Sequence, residues 1–371
     1  MEGGSHPWSL DRREKPARML FMRSSERFEV EPLDFATARG GVRGVSRARV
    51  RLAAAILTVC CICWGLSFPV MQFASAAFER ALQQGGVSVS THMTFAMHAT
   101  FNAWRFALAA GLYWLLTRKR QRGHRLVDWQ AGVIVGLFSG VGMFLQLAGL
   151  RYTLPSVSGF LTALAVVFAP LAQLLVFHKP VGGRTWLAVG VAVVGMLILS
   201  QANPGASAAN TMAQSPPFPH LGEIVTVVAS VLFTGHIMSV DHFGSRVDAT
   251  RLTCVMLAVV SVVNAGIGLA MGAADLYRAA VLGLLVRDPV FIASIASLIV
   301  ISTVVAMHLM NTYQPLVSAA TAAVIYCLEP VFATAWSTGL RTETLTMITV
   351  AGGAVILMAV LIVVRRPGRE G

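Results

Sequence analysis

Ten apolar runs of about twenty residues each limit the folds open to this chain. They cover approximately residues 52–78, 97–117, 128–150, 155–177, 184–200, 221–240, 252–272, 289–310, 315–336 and 343–364. A helix needs about 20 residues to cross ~30 Å of hydrocarbon. With 56% hydrophobic and 12% charged residues, the 371-residue chain is too apolar for a soluble globular protein. The sequence predicts an all-α integral membrane protein of ten transmembrane helices in a lipid bilayer.

The basic residues lie mostly on alternate connections between these runs. If both termini are cytoplasmic, 23 of the 29 lysines and arginines fall on the inner side and five on the outer side, with Arg105 inside a run. This bias follows the positive-inside rule. Topology therefore accounts for the net charge of +12, and nucleic acid is not expected as a partner.

A charge-free segment near the middle divides the runs into two groups of five. Residues 157–175 overlay residues 317–335 at an offset of 160, and the matched pairs are Val157 with Val317, Ser158 with Ser318, Ala163 with Ala323, Pro170 with Pro330 and, just upstream, Pro155 with Pro315. An odd number of spans per unit turns the second unit upside down relative to the first. We therefore expect two inverted five-helix repeats, at 49–200 and 221–365. A cytosolic tail (1–48), an extracytoplasmic loop (201–220) and a short cytosolic end (366–371) complete the chain.

Four short motifs resemble those of EamA-type members of the drug/metabolite transporter superfamily. They are CWGLSFPVMQFA at 63–74, WRF at 104–106, GE at 222–223 and LEPVF at 328–332. The chain departs from the family at His178-Lys179-Pro180 and Gly339-Leu340-Arg341, where Gly-Glu pairs are common, and Ala169 occupies the position that matches Glu329. The resemblance implies export or exchange of small metabolites or amino-acid-like compounds across a bacterial inner membrane.

Arg105 and Glu329 are the two charges well inside apolar runs, where an ionised group is costly. Counted from the nearest inner ends, both lie roughly 20 Å deep. They could form a buried ion pair, which would be structural. Alternatively they could face a shared cavity, with Arg105 binding an anionic group of a small-molecule substrate and Glu329 binding a cationic group or a proton.

Other residues are candidates for the same site. Trp64 and Phe68 lie on one helix face and could stack on a substrate or pack in the core. Gln146 could line a cavity or join two helices, and His236 and His308 could relay protons with Glu329 or form structural hydrogen bonds. Gly65, Pro69, Pro170 and Pro330 mark candidate kinks or gating points. The series Gly132, Gly136, Gly140 predicts close helix packing, within a monomer or between two copies of a homodimer.

No sequence motif indicates a cofactor, a metal or hydrolytic chemistry. The five cysteines lack metal-type spacing, and there is no phosphate-binding glycine loop, HExxH helix or Gly-x-Ser-x-Gly elbow. We therefore expect a secondary transporter or facilitator rather than an enzyme. An integral-membrane enzyme acting on lipid or isoprenoid, and a membrane scaffold without transport, are the alternatives.

Overall fold

A computed structural model describes residues 46–150, 152, 155–201, 220–342 and 344–365, and every regular element in these ranges is a helix. The fourteen α-helices are α1 (Arg47–Gln84), α2 (Thr91–Thr117), α3 (Leu126–Leu150), α4 (Pro155–Thr162), α5 (Ala165–Leu175), α6 (Gly183–Ser200), α7 (Leu221–Phe243), α8 (Ala249–Ala270), α9 (Ala279–Leu285), α10 (Pro289–Ser297), α11 (Ala306–Tyr313), α12 (Ala319–Tyr326), α13 (Glu329–Gly339) and α14 (Met347–Arg365). A π-helix (Leu298–Val305) joins α10 to α11, and 3₁₀ turns occupy Ala273–Tyr277 and Gln314–Leu316. Most of the predicted tail, the central loop between 202 and 219, and residues 366–371 lie outside the described residues.

These helices form the ten predicted spans. Spans 1 to 3 are α1 to α3, span 4 is α4 with α5, and span 5 is α6. Spans 6 and 7 are α7 and α8, span 8 runs from α10 through the π-helix to α11, span 9 is α12 with α13, and span 10 is α14. Nine of them, in the described part of the chain, are apolar and long enough to cross a membrane. Span 2 is the tenth: it has 27 residues, and Asn102 and Arg105 lower its hydropathy. The all-α, ten-span prediction is confirmed.

Spans 4 and 9 are each interrupted near the middle. Span 4 breaks at Ala163 and Leu164, six residues before Pro170, whereas span 9 breaks at Cys327 and Leu328, directly before Glu329 and Pro330. At both breaks the backbone changes to tighter i→i−3 hydrogen bonds, such as Leu328 N to Ile325 O at 3.0 Å. The two matched prolines therefore occupy different places relative to their breaks. Pro69 lies inside the uninterrupted α1.

Helix contacts in the two halves mirror each other. Span 1 packs on span 8 and on α13 of span 9; correspondingly, span 6 packs on span 3 and on both parts of span 4. Span 3 also packs on span 7, as span 8 does on span 2. Spans 2 and 7, 4 and 9, and 5 and 10 pair with their own counterparts. This is the pseudo-twofold arrangement of two inverted repeats.

Ion pairs show which helix ends share a membrane face. Lys179 at the end of span 4 contacts Asp241 at the end of span 6 (3.2 Å). Arg251 at the start of span 7 contacts Asp128 at the start of span 3 (3.3 Å). Both pairs belong to the face that carries the basic cluster 118–125, called the basic face below. On the opposite face Arg80, near the end of span 1, contacts Asp288 before span 8 (3.3 Å).

The glycine series of span 3 packs inside the chain. Gly136 faces Val259 of span 7 so closely that an added Cβ would lie 2.7 Å from the Val259 Cβ, and Gly132 and Gly140 face Val255 and Val263 in the same way. Small residues allow such close approach where lipid provides no hydrophobic driving force between helices. This interface fixes span 3, from the first repeat, against span 7 of the second.

Candidate functional site

Arg105 lies in the middle of span 2 and is 5% exposed. Its Nε donates to Thr303 Oγ1 at 2.7 Å, and one terminal nitrogen approaches the Met71 sulfur at 3.8 Å. The guanidinium carbon is 5.2 Å from the centre of the Phe106 ring. A guanidinium has five N–H donors. The others have no hydrogen-bond acceptor among the residues that the structure describes, so this buried cation retains binding capacity.

The partner of Arg105 belongs to the π-helix of span 8. Thr303 Oγ1 also donates to the Leu298 carbonyl five residues earlier (2.9 Å), a spacing that matches the wider π-helical turn. The neighbouring Ser302 donates to the Cys63 carbonyl (2.7 Å) and accepts, through its own carbonyl, from Trp64 Nε1 (3.2 Å). π-Helical turns occur frequently at functional sites. Here the turn connects Arg105 with Trp64.

Trp64 extends the site toward the break in span 9. Its ring packs edge-on against Tyr326, with 5.5 Å between ring centres. Tyr326 OH donates to Gln314 Oε1 (2.8 Å), and Gln314 Nε2 donates to the Ile237 carbonyl (2.8 Å). Phe68, predicted to share a stacking surface with Trp64, is 46% exposed and contacts no other aromatic ring within the described ranges.

Glu329 is the first residue of α13, directly after the break. It is half-buried, and its carboxylate has no hydrogen-bond or ion partner among the described residues. Its electrostatic neighbours are Cys61, Tyr326 and Cys327. The N-terminal end of a helix favours a carboxylate because its free N–H groups carry partial positive charge. The break therefore creates a position where an unpaired acid is tolerated inside the membrane.

Gly65 brings span 1 against the helix that carries Glu329. A Cβ at Gly65 would lie 2.7 Å from the Ala333 nitrogen and 2.8 Å from Phe332. Trp336 Nε1, one turn further along α13, donates to the Ile62 carbonyl at 3.1 Å. Backbone contact at Gly65 thus fixes α13 relative to Trp64.

Arg105 and Glu329 do not form an ion pair in this structure. The four ion pairs among the described residues involve neither of them. Both residues lie beside span 1, where Glu329 neighbours Cys61 and Arg105 contacts Met71. Their equal depth stays a prediction.

The remaining candidates lie in other places. His236 Nδ1 is 3.4 Å from the Val135 carbonyl at the contact between spans 3 and 6, and His308 Nδ1 is 2.8 Å from Tyr113 OH. The hydrogen bonds of the described residues connect neither histidine to Glu329. Gln146 Nε2 donates to Thr162 Oγ1 (3.3 Å) at the break of span 4. Gln146 thus occupies the corresponding break of the first repeat, away from Arg105.

Sequence reasoning missed Ser302, Thr303, Gln314 and Tyr326. The two hydroxyls stand in the otherwise apolar run LIVISTVV, which is a visible signal, but hydroxyls in membrane helices usually bond to their own backbone. Among the residues that the structure describes, no group of three or more His, Cys, Asp or Glu side chains could hold a metal ion. The five cysteines are unbridged.

Ten mirrored membrane helices, two of them interrupted near the middle, are typical of a helical membrane transporter. The EamA-like transporter family matches residues 51–201 and 220–365, and the chain belongs to this family, within the drug/metabolite transporter superfamily.

Three proteins are similar to this chain. An uncharacterized transporter of Archaeoglobus fulgidus is 28% identical over 331 residues, which is 89% of this chain and 91% of the relative. A probable 4-amino-4-deoxy-L-arabinose-phosphoundecaprenol flippase subunit ArnE of Klebsiella pneumoniae is 34% identical over 83 residues, 22% of this chain and 72% of that protein. A solved crystal structure covers 84% of this chain and 95% of its own with a TM-score of 0.59 at 13% identity, which is a likeness of fold alone.

Proposed function

We propose that this protein is a secondary transporter or facilitator that moves small metabolites or amino-acid-like compounds by alternating access, in efflux or exchange. The observation that carries the proposal is that Arg105 and Glu329, two opposite charges inside the spans, have no ion partner among the described residues. A substrate with an anionic and a cationic group could satisfy both charges. A proton could replace the cationic group at Glu329.

The mirrored contacts of the two repeats support alternating access. Inverted repeats can exchange their conformations, so that a site between them opens first to one face and then to the other. Trp64 is bonded to the π-helix that also binds Arg105, and it packs on Tyr326, a neighbour of Glu329. The two rings provide aromatic surface for the body of a substrate. Gln146 and Thr162 occupy the corresponding break of the first repeat and are proposed to line the same path.

Counterflow into liposomes tests this proposal. Liposomes that contain the purified protein and are preloaded with mixed amino acids and related metabolites should exchange labelled substrate. Arg105→Gln and Glu329→Gln should each abolish this exchange without loss of folded protein. Arg287→Gln and Glu79→Gln are matched controls that remove the same charges outside the site. If the charge-swapped double variant restores exchange that both single variants lack, direct pairing during the cycle replaces the two-site proposal.

The acidic residues near the membrane faces favour transport over lipid enzymology. Asp128 and Asp241 are engaged in ion pairs. Asp248 and Asp288 each accept two backbone N–H bonds at the start of a helix. None of these four carboxylates is left free to act as a catalytic acid or base. Chemical turnover of a lipid substrate without substrate transport would support an enzyme. Binding of a partner without turnover and without transport would support a scaffold.

A second candidate is the flipping of a lipid-linked sugar, favoured by the similarity to the flippase subunit ArnE over 83 residues. Quenching of a fluorescent polyprenyl-phosphate sugar on the outer leaflet of liposomes distinguishes lipid flipping from transport of a soluble metabolite. Protein-dependent flipping together with absent counterflow would replace the soluble substrate with a lipid.

We further propose a bacterial inner membrane location with both termini in the cytoplasm. The basic face groups the connections that contain 118–125, Lys179, Arg184, Arg246 and Arg251, as the positive-inside rule requires of a cytoplasmic face. Cysteine labelling in intact cells tests this orientation. Introduced cysteines at Gln83 and Arg287 should react with an impermeant reagent, and one at Lys119 should not.

A further inference from the structure

A groove separates spans 2 and 8 on the basic-face side of the Arg105–Thr303 hydrogen bond. It has a volume of about 240 Å³ and is lined by Tyr113, Leu116, Thr117, Val304, Val305, His308 and Leu309. Sites for drug-sized ligands measure about 300–1,000 Å³. The groove is therefore too small for such a ligand and large enough for part of one hydrocarbon chain.

The two rims of the groove face outward from the helix bundle. Leu116 on span 2 is 69% exposed and Val305 on span 8 is 42% exposed, and Trp114, on another face of span 2, is 51% exposed. Aromatic side chains such as this tryptophan concentrate at the membrane–water boundary. In a bilayer these rims contact lipid, so the groove opens sideways into the leaflet on the basic face.

The polar atoms in the floor of the groove already have partners. Tyr113 OH and His308 Nδ1 are hydrogen-bonded at 2.8 Å, and Thr117 Oγ1 donates to the Tyr113 carbonyl at 2.6 Å. Gln121 Nε2 in turn donates to Thr117 Oγ1 at 2.8 Å. The Tyr113 hydroxyl, the His308 Nδ1 atom and the Thr117 hydroxyl therefore require no polar ligand.

Three consecutive cations follow the groove at the end of span 2. Arg118, Lys119 and Arg120 are exposed, and in the described part of the chain their side chains have neither a hydrogen bond nor an ion pair. Arg120 is also an electrostatic neighbour of His308 in the groove. The nearby carboxylate of Asp248 is occupied by the backbone N–H groups of Thr250 and Arg251.

We propose that this groove binds one anionic diacyl phospholipid, with an acyl chain between spans 2 and 8 and the phosphate on Arg118, Lys119 and Arg120. Basic residues at the membrane surface attract anionic headgroups, and an adjoining apolar groove makes that attraction specific for a lipid over a soluble anion. The bound lipid would contact the same span 8 whose π-helix holds Arg105.

Native mass spectrometry of the full chain tests the proposal, with phosphatidylglycerol and phosphatidylcholine supplied in equal amounts. The wild-type protein should retain phosphatidylglycerol preferentially, and excess soluble glycerol phosphate should not displace it. Replacing Arg118, Lys119 and Arg120 together by Gln should weaken retention by roughly fivefold per removed charge. Val305→Trp, which fills the groove, should abolish it.

Two controls distinguish a site from general surface charge. The triple change of Arg47, Arg49 and Arg51 to Gln removes equal charge at the start of span 1, and Val262→Trp adds equal bulk at a position 71% exposed on span 7. Both should retain phosphatidylglycerol as the wild type does. Equal retention of the two lipids by the wild type, or equal loss in the control triple, would overturn the proposal.

Discussion

Arg105 of span 2 donates a 2.7 Å hydrogen bond to Thr303 in the π-helix of span 8. Through this bond the buried cation of the first repeat is oriented by the second. The same π-helix contacts Trp64 through Ser302, so that one irregular turn positions both a cation and an aromatic ring of the proposed site.

Removing the Thr303 hydroxyl should weaken substrate binding while the protein still folds. Hydrogen bonds to charged groups contribute about 1.5–3 kcal/mol, and Thr303→Val should therefore lower apparent substrate affinity roughly 10- to 150-fold in counterflow assays. Thr303→Ser keeps the hydroxyl and should retain affinity. Thr312→Val, which removes a hydroxyl bonded only within its own helix, serves as the matched control. Unchanged affinity in Thr303→Val would show that Arg105 needs no such orientation.

Gly65 should not tolerate even alanine. The added methyl group would lie 2.7 Å from the Ala333 nitrogen, which is backbone and cannot rotate away. Overpacking of this kind costs typically about 1–3 kcal/mol. We expect Gly65→Ala to lower the thermal unfolding temperature and to reduce transport, because α13 carries Glu329. Gly111→Ala in span 2 should be neutral or slightly stabilising, because an added Cβ there would have no atom within 4 Å apart from its own helix backbone.

A double-mutant cycle can test the contact between spans 3 and 6. The three atoms nearest to a Cβ at Gly235 would be ring atoms of Phe138, at 2.6–2.9 Å. Gly235→Ala should destabilise the protein by about 1–3 kcal/mol in the wild-type background. In the Phe138→Ala background the same change should not alter the free energy of unfolding. The resulting interaction free energy between positions 138 and 235 is of the size seen for residues in contact. Additive effects in detergent unfolding experiments would contradict this packing.

Asp288 should make stability depend on pH in the acidic range. Backbone N–H bonds from Phe291 and Val290, together with Arg80, hold the pKa of this carboxyl below its usual range, against a smaller effect of burial. Because the folded-state pKa is lowered, the stabilisation is fully present above the ordinary value of about 4 and is lost as pH falls through the lowered pKa. Thermal unfolding between pH 6 and pH 3 should therefore show a smaller acid-induced loss in Asp288→Asn than in the wild type. Parallel curves would show that Asp288 titrates normally.

The sequence predicts the spans and the repeat well because both depend on local composition. Hydropathy defines nine spans directly, and the matched prolines mark spans 4 and 9 as counterparts. The place of each break is not predictable in this way, since Pro330 adjoins its break and Pro170 does not. Thr303 was missed because its role depends on which helices are neighbours.

The glycine face of span 3 also has a consequence for the order in which the protein is made. Its partner, span 7, begins at Ala249, 99 residues after span 3 ends at Leu150. At synthesis rates of about 5–20 residues per second, span 3 waits in the membrane for roughly 5–20 s before its valine partners emerge from the ribosome. During that interval its glycine surface is open to the lipid or to another nascent chain. Neither repeat can complete its own packing, and maturation has to finish after the last helices have been inserted.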